Sequence, residues 1–115
     1  MSQANVRPIM RPVVKHNGVV YVAGQVARNA PDGDVTAQTK DILDAIDKLL
    51  ASAGTDKTKL LQAQIWLTDI STQFSAMNAV WNAWVDEATA PVRACVQAQL
   101  ASPSYKVEIM VTAAA

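Results

Sequence analysis

Near the C-terminus, apolar and polar residues alternate with a period of two. Within Ala90 to Leu100, Val92, Ala94, Val96 and Ala98 alternate with Arg93, Cys95, Gln97 and Gln99. Within Tyr105 to Ala114, Val107, Ile109 and Val111 alternate with Glu108, Met110 and Thr112. Each pattern predicts a strand with an apolar face for a core and a polar face opposite. Leu60 to Ile70 reads the same way, with Leu61, Ala63, Ile65 and Leu67 against Gln62, Gln64, Trp66 and Thr68. Val19 to Val26 predicts another strand, in which Gly24 marks a bulge or a close backbone approach. Ile9 to His16 predicts an edge strand, because Pro12 removes a ladder donor that only an edge can spare. Asn17-Gly18 favours positive φ at both positions and joins the two as a tight hairpin.

A helical period appears twice. Ile42, Leu43, Ile46, Leu49 and Leu50 form one stripe of a helix from about Thr36 to Ala53, with Gly54 as its stop and Ala30 to Asp34 as the loop before it. Asp56 is placed to cap a short turn. Phe74, Met77, Trp81, Trp84 and Val85 form the stripe of a second helix, Phe74 to Val85, for which Ser71 or Thr72 is the expected cap. Pro91 bars its continuation. The order strand, strand, helix, strand, helix, strand, strand favours right-handed parallel crossovers after an antiparallel hairpin. The expectation is a two-layer α+β domain: a mixed sheet with both helices on one face. The other face is expected to carry Trp66, Cys95, Met110 and glutamines, which is apolar for open water, so patterning predicts a homo-oligomer that covers it.

Composition narrows the function. A chain of 115 residues suits one domain with a core of its own. Ten basic residues balance ten acidic ones, and no basic stripe appears, which argues against nucleic acid or a membrane surface as partner. A single cysteine permits no intrachain disulfide and fits a reducing cytoplasm; no stretch reads as a signal peptide or a membrane span. One His and one Cys make a metal site improbable, and no Gly-rich phosphate loop or nucleophile elbow is present.

The candidate chemistry gathers in the last two strands. Arg93 offers a planar fork of donors suited to a carboxylate, either a small substrate's or one across a subunit interface. Glu108, mid-strand, reads as a general acid/base acting on a water, or as an interface acceptor. A simple hairpin about Ser102-Pro103 would set Glu108 opposite Gln97, so strand pairing alone does not bring it to Arg93. Cys95 shares the Arg93 face, but the single histidine, His16, sits beside the hairpin turn, so the thiol reads as packing or pocket lining rather than a nucleophile. Asn78 is either a pocket amide or an exposed helix residue, and Tyr105 is either at a pocket mouth or a packed cover.

Taken together, P-V-R-A-C-V (Pro91 to Val96), V-E-I (Val107 to Ile109), IWLTDI and FSAMNAVWNAW resemble the RidA (YjgF-like) family of imine/enamine deaminases across almost the whole chain, closest to its short bacterial YoaB-like group. The resemblance implies a chorismate-mutase-like fold and a homotrimer whose sheets line a central barrel, with cofactor-free sites in the clefts between subunits. It implies that Arg93 binds a substrate carboxylate, that Glu108 orients the attacking water, and that Cys95 and Asn78 line the pocket. Family members have a Tyr in a G-P-Y-S-Q-like run and a Ser in V-S-G-Q; here the matching residues are Met10 and Ala23, the latter followed by Gly24. The implied reaction is hydrolysis of a 2-imino acid to a 2-keto acid and ammonia. A keto-acid-binding module without turnover is the alternative, and RNA cleavage, known for some relatives, is disfavoured by the neutral charge.

Overall fold

Asn17 and Gly18 adopt φ of 50° and 77°, the pair of left-handed conformations that closes a two-residue hairpin with the twist of its strands. In the computed structural model, which describes residues 6–115, this turn joins β1 (Val13–His16) to β2 (Val19–Gln25). Residues 1–5, part of the stretch in which no signal peptide is expected, lie outside the described residues. The remaining elements are α1 (Val35–Ser52), β3 (Leu60–Leu67), α2 (Ile70–Trp84), β4 (Val92–Gln97) and β5 (Val107–Ala114). The sheet order is β1-β2-β5-β3-β4, with β3 and β4 parallel and the other neighbours antiparallel. β1 is an edge, as Pro12 requires. It begins only at Val13, and the Pro12 carbonyl accepts the Ala23 N–H at 2.9 Å.

Both helices pack on one face of this sheet. Ile42, Ile46 and Leu50 of α1 are fully buried against Ile65, Leu67, Val107 and Ile109. Each such side chain contributes about 1.5–3 kcal/mol relative to exposure, more than helix propensity supplies, so packing holds α1 in place. Asp34 caps its start by accepting the Ala37 N–H at 2.8 Å. Gly54, at φ 81°, ends it: the Gly54 and Thr55 N–H groups return to the Ala51 and Leu50 carbonyls.

Three expectations are corrected. The last two strands are not neighbours, because β3 lies between β4 and β5. The cap of α2 is neither Ser71 nor Thr72: the helix starts at Ile70, and the Ser71 hydroxyl instead donates to the Asp69 carboxylate at 2.8 Å. The third concerns the faces of β4. Arg93 and Cys95 lie beside Ala63 and Ile65, on the helix side, while Val92, Ala94 and Val96 take the uncovered side; Cys95 therefore leaves the open face. The cause is Gln97. It lies level with Leu67 beneath the first turn of α2, where its side-chain oxygen accepts the Ile70 N–H at 2.9 Å. That bond fixes the polar residues of β4 toward the helices, and a slip of one residue would reverse them. The uncovered face then carries Tyr21, Trp66, Met110, Val92 and Val96, with Val92 73 % exposed.

Candidate functional site

Phe74, Asn78 and Trp81 recur along α2 at spacings of four and three and so share one flank of the helix. The Arg93 guanidinium lies against that flank, its carbon 5.9 Å from the Phe74 ring centre and 5.5 Å from that of Trp81. Ring faces attract a guanidinium without using its in-plane N–H groups. Among the described residues, no hydrogen bond or ion pair involves the Arg93 side chain; the one ion pair is Lys48–Asp44. Cys95, two residues on, is half-buried and packs on the core. Burial pushes its thiol up and the nearby Arg93 charge opposes this, so the setting disfavours the thiolate that a nucleophile needs. The Asn78 side-chain oxygen is shielded from solvent and has no hydrogen-bond partner. On the uncovered side, behind Arg93, Val92, Ala94, Gln62 and Gln64 line a separate cavity of about 250 Å³.

Glu108 occupies a different place. It stands on the uncovered face, beside Trp66 of β3. On its other side β2 bulges: the three residue steps from Val22 to Gln25 span what Val111 to Ile109 span in two. The bulge presents Gly24 to the Glu108 carboxylate so closely that a Cβ on Gly24 would overlap it. Gly24 is thus both the bulge and the close approach that its sequence suggests. Its neighbour Ala23 accepts the Gln25 amide at 2.9 Å. Burial raises the Glu108 carboxyl above the ordinary glutamate range.

Within one chain these two clusters do not meet. Arg93 is level with Ala63 and Glu108 with Trp66, two strands apart and on opposite faces. Their backbones are therefore separated by about 10 Å along the strands and about 10 Å across them. The structure brings Arg93, Cys95 and Asn78 together on the helix side, and Glu108 with Ala23 and Gly24 on the other. Met10 joins neither; it is exposed and lines a separate cavity of about 670 Å³ with Arg7, Pro12, Arg28 and Leu49. Tyr105 is half-buried in the loop before β5, its N–H on the Ser102 carbonyl.

Two residues escaped the reading of the sequence. Phe74 reads as part of a core stripe, yet it is 41 % exposed and serves as a wall for Arg93. Gln38 is fully buried; its amide donates to the Pro31, Gly33 and Ser104 carbonyls and accepts the Lys106 N–H. The available signal was a polar residue continuing the Ile42–Ile46 stripe one turn backward.

Residues 4–115 match the family model described as Endoribonuclease L-PSP. The chain belongs to that family. Among its members, the chain is 46 % identical over 102 residues to the RutC family protein YoaB of Escherichia coli K12, covering 89 % of this chain and 87 % of that one. A solved Neisseria meningitidis structure, described as a member of the YjgF protein family, superposes with a TM-score of 0.88 at 40 % identity over 95 % of this chain and 89 % of that one. It matches the arrangement found here, two helices on a mixed five-stranded sheet. The 3-aminoacrylate deaminase RutC of Acinetobacter baylyi is 31 % identical over 103 residues, 85 % of this chain and 80 % of its own. No helix of the described residues is long and apolar enough to cross a membrane.

Proposed function

We propose that this protein hydrolyses reactive 2-imino and enamine acids to 2-keto acids and ammonia, as a cytoplasmic homotrimer whose sheets line a central barrel and whose active sites lie in the clefts between subunits. The observation that carries the reading is the Arg93 guanidinium, held by aromatic faces with no acceptor for its N–H fork among the described residues. A carboxylate can enter that fork in two places at once. The separation of Arg93 from Glu108 supports the oligomer: a small acid held by one chain's Arg93 is out of reach of the same chain's Glu108, so the second cluster has to come from a neighbouring copy. The apolar uncovered face supplies surface for that contact.

In this mechanism Arg93 fixes the carboxylate and thereby the imine carbon beside it. Glu108 in its ionised form accepts a hydrogen bond from water and aligns the oxygen for attack on that carbon. The C–O bond forms as the C=N π pair moves to nitrogen, which takes up a proton. That first proton comes from the attacking water by way of Glu108, giving the 2-amino-2-hydroxy adduct. Glu108 then takes the adduct's hydroxyl proton as the C=O bond forms, the C–N bond breaks with its electron pair going to nitrogen, and nitrogen receives that proton, leaving the keto acid and ammonia. Cys95, kept as a thiol, lines the pocket. Where relatives carry two hydroxyls, Met10 and Ala23 offer none, so Arg93 and Glu108 are left as the chief polar determinants.

The deaminase named among the relatives supports the reaction class. Balanced charge gives RNA cleavage no comparable support. The test generates imines in situ with an amino-acid oxidase and follows loss of the semicarbazone they would otherwise form. Faster loss than in buffer, strongly reduced in Arg93→Ala and Glu108→Gln, is expected. No acceleration with any amino acid, together with Arg93-dependent keto-acid binding by calorimetry, would replace the enzyme with a binding module.

A further inference from the structure

We propose that Asn78 is the residue by which this site distinguishes a substrate nitrogen from a keto oxygen: its buried side-chain oxygen accepts the N–H carried on C2 of an acid whose carboxylate is held by Arg93. The inference rests on Arg93 being the carboxylate anchor. Asn78 lies between Phe74 and Trp81 on one flank of α2, and both of those rings face the Arg93 guanidinium. Its oxygen is the one shielded side-chain polar atom left without a hydrogen-bond partner among the described residues. Neither the Arg93 guanidinium nor the Cys95 thiol donates to it, although both sit on the strand beneath that flank.

An acceptor removed from water and left unpaired costs roughly tenfold or more in an equilibrium constant. A ligand that brings a donor recovers that cost; one that brings a second acceptor does not, and adds lone-pair repulsion. When a 2-substituted acid is held by its carboxylate, the substituent on C2 is the next polar group along the molecule. In an imino or amino acid it is an N–H; in a keto acid it is a bare oxygen. Hydrolysis of an imine converts the first into the second. An unpaired acceptor at this point therefore favours substrate over product and hastens product release. The principle is that of sites built to hydrogen-bond one group, which reject the analogue lacking it.

The experiment measures binding of alanine and of pyruvate to the full chain by calorimetry. The parent protein is expected to bind alanine at least about fivefold tighter than pyruvate. Asn78→Ala should bring the two within twofold of each other by weakening alanine alone, and should melt no lower than the parent, since it deletes an unpaired acceptor. A parent that prefers pyruvate overturns the proposal. So does an unchanged ratio in Asn78→Ala, or a variant that melts several degrees lower, which would mean the oxygen is already bonded in the assembled protein. Arg93→Ala separates the two readings. If it leaves both ligands bound, the anchor fails; if it removes both while Asn78→Ala leaves the ratio unchanged, only the role of Asn78 fails.

Discussion

β4 and β5 carry the same alternation and present it in opposite senses. In β5, Val107, Ile109 and Val111 point into the core and Glu108 points out; in β4, Val92 and Val96 point out and Arg93 and Cys95 point toward the helices. Their positions explain the difference. β5 is central, paired on both sides and covered by α1, so its branched side chains must go inward. β4 is an edge strand beneath α2, whose first turn needs the Gln97 oxygen and whose rings take the guanidinium. A period of two therefore says that a strand has two faces and leaves open which one is inside.

The largest effect that tests this contrast is on stability. Ile109→Ala should lose about 2–5 kcal/mol by urea unfolding. Val96→Ala, on the outward side of β4, should stay within about 0.5 kcal/mol under conditions that keep the chain dissociated. Equal losses would mean that β4 is buried in the same sense as β5. Next, Arg93→Ala should lower kcat/KM for imine hydrolysis about a hundredfold, as expected for a charge-assisted hydrogen-bonded contact, and leave the melting temperature nearly unchanged.

A smaller effect isolates the β5 side. Gly24→Ala introduces a methyl group where the Glu108 carboxylate now lies. The end of a flexible side chain can swing aside, so stability should hold while kcat/KM falls about tenfold through misplacement of the carboxylate. Normal activity in this variant would count against Glu108 as the group that orients water. The smallest effect concerns pH. The folded carboxyl of Glu108 is raised, so the folded state binds its proton more tightly than the unfolded state does, and stability falls as pH rises from the ordinary glutamate range through the raised value. Glu108→Gln should therefore melt slightly higher than the parent at neutral pH, and the gap should close in acid. On the proposed mechanism, the parent's activity should also fall in acid at a pH above the ordinary glutamate range; an acid limb that survives in Glu108→Gln would assign it to another group.

Much of this architecture is readable without coordinates. The hairpin turn, the α1 stripe with its Gly54 stop and the layered arrangement all come from local signals, and they hold. Arg93, Cys95 and Asn78 could be singled out as residue types, and the structure groups them on one side. What could not be read is sidedness and strand insertion. That β3 separates β4 from β5 depends on the crossovers, and that Gln97 rather than a valine faces α2 depends on a cap made 27 residues away in sequence. The aromatic hold on Arg93 was hidden for a related reason: Phe74 and Trp81 look like core until a cation is placed against them.

Gln38 has a consequence for how this chain can vary. With one cysteine it has no covalent clasp, and one carboxamide ties the approach to α1 to residues 66 and 68 positions further along. The lengths of the two loops are thereby coupled. Insertions between Gln97 and Ser102 should be absorbed as slack, whereas one between Ser104 and Lys106 would tear the clasp open and unseat the start of the strand that carries Glu108.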